Sequence, residues 1–345
     1  MDSIQAVDLL FRFAAIGQLI LLLALVLQRP LTYRQWTLLA VACCAMAYLL
    51  LTAPIADERY GLWRPILLTL TDAFAYAIWW AAMVYFNDSF SPRRWPLTSK
   101  LFLAVFAIGY LYFFTLLGGR GVLHDVNHLL AIGVLVHLIY FIVRGLDDDL
   151  VAQRRKLRLW LTGLISVFAM LLAGVEFAPE VLRHHPLFGL FNATFILLAI
   201  TLGSRLLLTS THHPQRQQQK PASNDDLPPR LRALREQVLA FMAEGGYRQT
   251  GLGIKTLAQS LQYPEHQLRQ LINQHMGYSN FSAFLNHYRL REAGERLRDY
   301  SHAQTSILTL ALDLGYASVG PFNRAFKAQF DQTPSEYRLQ FQNRR

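Results

Sequence analysis

Seven long apolar stretches fill the first two thirds of the chain, and each approaches the length of a membrane-spanning helix. They lie at about 8–28, 35–53, 65–86, 100–117, 126–144, 157–178 and 187–208. A helix needs about 20 mostly apolar residues to cross a hydrocarbon core, where backbone groups find no water to bond. The pattern therefore predicts a seven-helix transmembrane bundle over residues 1–208. A signal peptide is disfavoured, because the first stretch lacks a charged start and a small-residue cleavage site.

Positive charges are unevenly distributed among the loops between these stretches. The first, third and fifth loops hold ten Lys and Arg residues, namely Arg29, Arg34, Arg93, Arg94, Lys100, Arg144, Arg154, Arg155, Lys156 and Arg158. The second, fourth and sixth loops hold four, namely Arg59, Arg64, Arg120 and Arg183. Because short cytoplasmic loops collect Lys and Arg, we predict an N-terminus outside the membrane and a C-terminus in the cytoplasm.

Beyond the last apolar stretch the composition becomes polar, Gln-rich and interrupted by prolines. We predict a flexible linker over 209–229, which would span about 25 Å as a coil. Apolar residues then return with the period of a helix, beginning with Leu234, Val238 and Met242. This change of pattern predicts a soluble helical domain over 230–345.

The soluble domain contains a pair of short helices with a tight break between them. The pattern predicts helices over 254–261 and 265–275, separated by residues 262–264. On the second helix, the residues predicted to face outward are His266, Arg269, Gln270 and Asn273. This arrangement is typical of a helix-turn-helix, whose second helix enters the major groove. Arg can pair with guanine there, and Asn or Gln with adenine.

The same arrangement occurs a second time near the C-terminus. A longer helix that Ser279 or Asn280 can cap leads to a short helix over 307–312, a turn at Gly315 and a second helix over 319–330. The joining helix would be about 25 Å long, so two recognition helices could reach successive major grooves, about 34 Å apart. The predicted core residues are Leu257, Leu268, Leu271, Ile307, Leu310, Phe322, Phe326 and Phe330. The fold class is all-α.

Composition and charge agree with this division. The chain has 345 residues, of which 53% are hydrophobic and only 16% charged, and its net charge is +10. The last 120 residues carry 15 Lys and Arg against 10 Asp and Glu, a net charge of +5. Net basicity suits nucleic acid and lipid headgroups alike. The two cysteines, Cys43 and Cys44, are adjacent, which excludes a disulfide-stapled fold.

Two runs of residues near the C-terminus are similar to a known family. The runs GYASVGPFNRAFK (315–327) and TPSEYR (333–338) resemble the signature of the AraC/XylS family of bacterial transcription regulators. The resemblance covers about 232–340, roughly a third of the chain. It implies two helix-turn-helix units joined by a helix, and sequence-specific binding to promoter DNA.

The resemblance also implies which residues contact DNA. Carried over by position, they are His266, Gln267, Arg269, Gln270, Asn273, Val319, Gly320, Asn323, Arg324 and Lys327. In the first unit, His266, Arg269 and Gln270 would read bases. In the second, Val319 and Gly320 offer no side-chain hydrogen bond, so Arg324 and Lys327 would mainly contact phosphates, which fixes register rather than sequence.

Polar residues in or near the apolar stretches are candidates for sensing, because such groups are costly in lipid. They are Asp72, His124, His128, His137, Glu176 and Asn192, together with Arg12. A structural contact between helices is the competing interpretation, and we favour it for the set as a whole.

Two further clusters of charged or ionisable residues allow more than one interpretation. His124 and His128 share a helix face beside Asp125, and Glu180, His184 and His185 are predicted on the same side. Imidazole suits metal binding and pH sensing, but these residues do not make up a complete set of metal ligands. We therefore predict surface histidines, no metal site and no cofactor. The acidic triplet at 147–149 is interpreted as a solvated loop rather than a cation site.

These features indicate a membrane-anchored, one-component transcription regulator of the bacterial inner membrane, without enzymatic activity. The predicted partners are double-stranded promoter DNA, the lipid bilayer, a second copy of the chain, RNA polymerase and an unidentified signal. Rearrangement of the bundle would change how two tethered DNA modules meet paired sites. The alternative is a membrane transporter or enzyme with a regulatory, DNA-binding-like module. A sensor kinase is disfavoured, because residues 226–345 lack a Gly-rich nucleotide loop.

Overall fold

The apolar stretches and the soluble periodic segments form helices in a computed structural model of the chain. The structure describes residues 3–28, 31–87, 90–177, 185–211 and 228–342, without side-chain detail at 57, 94, 171–177, 206–211 and 342. Within these ranges there is no β-strand, so the all-α prediction is confirmed. The chain divides into two compact units, one of residues 1–143 and 157–213 and the other of 144–156 and 214–345.

The first unit is formed by the apolar helices. They are α1 (Ser3–Leu27), α2 (Tyr33–Leu51), α3 (Arg64–Asp72), α4 (Phe74–Phe86), α5 (Leu97–Thr115), α6 (Val122–Arg144), α7 (Ala152–Phe177) and α8 (Pro186–Thr211). The start of α7, through residue 156, groups with the second unit. Helix α1 packs against α8, and α2 packs against α1, α3 and α4.

The third predicted span, 65–86, is a bent pair of helices rather than one straight helix. Helices α3 and α4 meet at Ala73 at an angle of 45°. Asp72 is the last residue of α3 and is buried. The bend therefore places a buried carboxylate in the middle of an otherwise apolar segment.

Several of these helices present apolar side chains that no described residue covers. On α5, Phe102 is 70% exposed and Val105 is 69% exposed. Five of the described helices, α1, α2, α5, α6 and α8, are long and apolar enough to cross a membrane, or six if the bent pair is counted as one span. Helix α7 is not among them, and its last seven side chains lie outside the described residues. The seven predicted spans therefore stay a prediction, which five straight helices and the bent pair support.

The interior of the first unit combines leucines and isoleucine with small residues. Leu49, Leu135, Leu138 and Ile142 are fully buried, surrounded by alanines from several helices. Small residues allow helix backbones to approach closely where lipid supplies no hydrophobic drive between helices.

The second unit contains the soluble helices. They are α9 (Pro229–Ala243), α10 (Ile254–Ser260), α11 (Glu265–Gln270), α12 (Phe281–Arg298), α13 (Ile307–Asp313), α14 (Val319–Phe330) and α15 (Pro334–Gln342). The predicted linker, 209–229, overlaps the end of α8 and the start of α9, and its residues 212–227 lie outside the described part of the chain.

Helix α12 joins two hydrophobic cores in the second unit. Its first half contributes Phe281 and Phe284 to the core of the first helix-turn-helix. Its second half contributes Leu290 and Leu297 to the core of the second. The helix begins at Asn280, whose side chain accepts a hydrogen bond from the backbone N–H of Ala283, as an N-cap residue does. One helix therefore fixes the spacing of the two helix-turn-helix units.

The predicted core residues occupy the two cores of the second unit. Leu257, Leu268, Leu271, Leu310, Phe322 and Phe326 are buried, and Ile307 and Phe330 are partly buried against them. The inward positions predicted for these helices are therefore confirmed.

Candidate DNA-binding surface and polar cavity

The first helix-turn-helix consists of α10 and α11. The turn between them includes Gln262 in the left-handed region, with φ of +57°, and Pro264 immediately precedes α11. After Gln270 the recognition helix widens into one π-helical turn, Leu271–His275. Within that turn the Asn273 side chain donates to the carbonyl of Tyr278 at 2.9 Å. The sequence predicted Asn273 to face outward. In the structure it is instead half-buried and bonded to its own chain.

The predicted base-reading residues of α11 differ in exposure. His266 and Gln270 are exposed, and Gln267 is partly buried. Arg269, which the periodicity predicts to face outward, is only 6% exposed. That prediction of exposure was wrong, because residues from between α6 and α7 cover this face of the helix. Its role in reading DNA stays a prediction.

The guanidinium of Arg269 is fully engaged within the second unit. It donates to the backbone carbonyls of Asp149 at 2.7 Å and Asp147 at 3.0 Å. Its Nε donates to the Glu265 carboxylate one turn earlier, at 2.7 Å. Hydrogen bonds to a charged group contribute more than neutral ones, so this arrangement holds the acidic triplet firmly on α11.

We refer to residues 147–150 as the acidic segment. The backbone N–H of Phe281 donates to the Asp148 carbonyl, and that of Leu150 donates to the Ser279 carbonyl. The Asp148 carboxylate accepts from the backbone N–H of Ser282 at 2.7 Å and from its hydroxyl at 2.9 Å. The acidic segment thus pairs with the start of α12 through both backbone and side chain.

Two residues of the acidic segment are buried, contrary to the interpretation of the triplet as a solvated loop. Asp149 is 2% exposed and is paired with Arg154 at 3.2 Å. Leu150 lies in the core of the first helix-turn-helix. Sequence reasoning missed the burial of this segment, because the hydrogen bonds that hold it on α11 and the start of α12 join positions 120 to 134 residues apart. The local signal was an apolar residue directly after three aspartates.

The second helix-turn-helix consists of α13 and α14. Its turn contains Gly315 with φ of +84°, where an added Cβ would lie 2.4 Å from the Arg248 carbonyl oxygen. Phe322 and Phe326 face the core. The predicted DNA contacts on the other face are Asn323, Arg324 and Lys327, all exposed, with Val319 and Gly320 partly buried at the start of the helix.

A buried carboxylate connects α12 to the turn after α9. Glu292 accepts hydrogen bonds from Tyr247 at 2.6 Å, from Arg248 at 2.7 and 3.0 Å, and from Arg296. Burial opposes its charge, but the bonds from Arg248, Tyr247 and Arg296 outweigh burial and hold the pKa of Glu292 below its usual range. Three donors on one carboxylate favour the ionised form.

The predicted sensing residues separate into different environments. Asp72, His124, His128 and Asn192 line one polar cavity in the first unit, together with Arg12. His137 instead accepts a hydrogen bond from Trp79 Nε1 at 3.1 Å in an exposed position. The side chain of Glu176 and the residues Glu180 and His184 lie outside the described residues.

Three of these candidates have contacts that the sequence did not suggest. Arg12 pairs with Asp8 at 2.9 Å and donates to the Leu49 carbonyl at 2.9 Å. His124 and His128 face Asp72 of α3 rather than their neighbour Asp125. Both are partly buried beside a buried carboxylate, whereas the sequence predicted surface histidines.

Comparison with known proteins agrees with the geometry of the second unit. Residues 257–340 match the family described as a helix-turn-helix domain. The chain is 32% identical to the regulatory protein SoxS of Escherichia coli K12 over 87 residues, 25% of this chain and 78% of that protein. It is 31% identical to the probable transcription factor PqrA of Proteus vulgaris over 101 residues, 29% of this chain and 80% of that protein. No solved structure is detectably similar to the chain.

The second unit has two helix-turn-helix units on one joining helix and exposed basic residues on α14. Together with these relatives, this identifies the C-terminal third as a DNA-binding transcription regulator. The chain therefore belongs to the AraC family.

Proposed function

We propose that the chain is a membrane-anchored regulator that binds promoter DNA sequence-specifically and whose apolar helices sense a signal. The uncovered apolar faces of helices such as α5 support anchoring, because large exposed aromatic and aliphatic side chains need an apolar medium. The excess of Lys and Arg in alternate loops supports a cytoplasmic C-terminus.

The acidic segment is the single observation that carries the regulatory part of this proposal. It occupies Arg269 and the N-terminus of α12 together. Backbone N–H groups at a helix N-terminus are typical binding sites for DNA phosphates. The Asp148 carboxylate therefore takes the place of a phosphate oxygen, while carbonyls take the place of base acceptors at Arg269. The segment and the operator compete for one surface.

Chain connectivity gives this competition its regulatory meaning. The acidic segment follows α6 and directly precedes α7, both of which are among the predicted spans. A signal that displaces either helix would change the stability of the segment on the DNA-binding surface. Each 1.4 kcal/mol by which the state with the acidic segment on the DNA-binding surface is favoured lowers the apparent affinity for operator about tenfold.

Substitution of Asp148 tests this proposal. In the full-length protein in lipid nanodiscs, we expect Asp148→Ala to bind an operator fragment about tenfold more tightly, because two hydrogen bonds to a charged group are lost. The operator is obtained by genome-wide mapping of bound DNA, and affinity is measured by fluorescence anisotropy.

Asp147→Ala is the matched control. It removes the same charge from the same segment, but its side chain is exposed and its contribution to Arg269 is a backbone carbonyl. We expect affinity within about twofold of the parent. Equal or weaker binding by Asp148→Ala than by Asp147→Ala would show that the segment supports the DNA-binding surface instead of blocking it.

The remaining partners are part of the same proposal. A second copy of the chain in the membrane would place four helix-turn-helix units near one promoter, and tethering raises the effective concentration of the second domain after the first has bound. RNA polymerase is the proposed partner for activation once the operator is occupied.

A further inference from the structure

The first unit contains a partly open cavity of about 540 Å³, whose lining includes several charged and polar side chains. Its wall includes the Asp8–Arg12 ion pair, His185 and Asn192. Among the described residues, Thr71 Oγ1, His124 Nδ1 and Asn192 Oδ1 are buried polar atoms without a hydrogen-bond partner, and all three residues line this cavity. Buried polar atoms are rarely left unpaired, so water or another polar group would satisfy these three atoms in the cavity.

Asp72, His124 and His128 form a compact cluster on this wall. The Asp72 carboxylate, which the bend between α3 and α4 places here, is 3.2 Å from His128 Nε2 and 3.7 Å from His124 Nδ1. The Asn127 amide donates to the same Asp72 oxygen at 3.1 Å. One nitrogen from each histidine and one carboxylate oxygen all lie within 4.8 Å of one another.

These separations agree with those of a metal coordination sphere. Zinc binds imidazole nitrogen and carboxylate oxygen at about 2.0–2.2 Å in tetrahedral geometry, which sets neighbouring ligand atoms about 3.3–3.5 Å apart. The two distances from Asp72 bracket that value. Because His124 and His128 are one turn apart on α6, both rings reach the same point from a single rigid helix.

We propose that Asp72, His124 and His128 bind a divalent first-row transition metal ion, with Zn²⁺ the best match. Two imidazoles and one carboxylate are a common ligand set for this class of ion. The positive charge of the ion compensates the buried carboxylate, and Asn127 orients that carboxylate from outside the ligand set.

Three protein ligands leave the fourth coordination position open, as in sites where water or a small ligand exchanges. The three proposed ligands line the same cavity as Asn192, whose side-chain oxygen has no hydrogen-bond partner. Metal binding itself is independent of gene control. Its role as the signal for the regulator rests on the proposed function.

Metal uptake by the full-length protein in detergent micelles tests the site. After chelation and desalting, the protein is titrated with Zn²⁺, counted by elemental analysis, and with Co²⁺, whose visible absorption reports four-coordinate nitrogen and oxygen ligation. We expect one ion per chain. We expect His128→Ala and Asp72→Asn to weaken binding more than the roughly 10–100-fold loss typical of an outer-shell change such as Asn127→Ala.

His137→Ala is the control, since this histidine lies on the same helix and bonds to Trp79 instead. It should retain full uptake, and helicity by circular dichroism confirms that each variant is folded. The proposal is overturned if the parent protein takes up no ion, or if Asp72→Asn and His137→Ala bind equally well.

Operator affinity, measured separately with and without Zn²⁺, separates the two proposals. Uptake of metal without any change in operator affinity would retain the site and remove its role as the signal. Operator binding by a protein that takes up no metal would retain the regulator and remove the site.

Discussion

At the scale of single residues, two buried charges in the second unit are each held by several partners at once. Arg269 has three acceptors on α11 and the acidic segment, and Glu292 has three donor residues around its carboxylate. A buried charge is tolerated only when it is paired and hydrogen-bonded. Removing one partner of either residue would therefore destabilise the fold around it, since an uncompensated buried charge would remain.

Glu292 makes the second unit sensitive to acid. Its pKa lies below the ordinary value of 4.5, because its donors outweigh burial. A carboxylate with a lowered folded-state pKa contributes stability that is complete above its unfolded pKa and is lost as pH falls through the folded pKa. We expect the protection of α12 in hydrogen–deuterium exchange to decrease as the pH falls below about 4.5, and Glu292→Gln to remove part of that dependence.

Glu295→Gln is the matched control on the same helix. Glu295 is exposed and faces only Arg291, at 3.8 Å, an interaction of little value at a surface. The pH dependence of this variant should equal that of the parent. If both glutamate variants behave alike, the hydrogen bonds on Glu292 do not stabilise the domain.

At the scale of elements, turns with positive φ set the angle between paired helices. Gly315 and Gly277 have nearly the same backbone conformation, with φ of +84° and +83°. Their surroundings differ: a Cβ at Gly315 would meet the Arg248 carbonyl oxygen, whereas nothing lies within 4 Å at Gly277. The pair separates the cost of a left-handed residue from the cost of a steric clash.

We expect Gly277→Ala to destabilise the domain by about 1–2 kcal/mol, the cost of left-handed backbone for an L-residue. Gly315→Ala should cost clearly more, because the turn must also move away from Arg248. Local stability is measured by hydrogen–deuterium exchange in the full-length protein, over residues 265–285 for Gly277→Ala and over residues 305–330 for Gly315→Ala. Equal losses in the two variants would mean that the close approach at Gly315 relaxes without cost.

The sequence predicted the helices better than it predicted the tertiary contacts between them. The all-α fold and both helix-turn-helix units follow from local periodicity, since Leu268, Leu271, Phe322 and Phe326 repeat with the helical period. Arg269 was misplaced, because the segment that covers it is 120 residues earlier in the chain. The pairing of His128 with Asp72 was not predicted for the same reason: the two residues are 56 positions apart and meet only in the folded chain.

At the scale of the whole molecule, the proposed function requires the C-terminal DNA-binding domain to lie on the cytoplasmic side of the bilayer. We expect green fluorescent protein fused after Arg345 to fluoresce in bacterial cells, and alkaline phosphatase fused at Gly119 to be active. The reason is the bias of Lys and Arg toward the odd-numbered loops. Active phosphatase at Arg345 would place the DNA-binding domain away from the chromosome and contradict the proposed function.

If the contacts of Asp148 and Arg269 couple DNA binding to a signal, DNA binding must also affect how tightly that signal binds. Coupling between two binding events is reciprocal, so a signal that strengthens DNA binding by some factor must itself be bound more tightly, by the same factor, when DNA is present. Occupied promoters would then act as effectors of the bundle. A cell with many operator copies would respond to less of the signal than a cell with one.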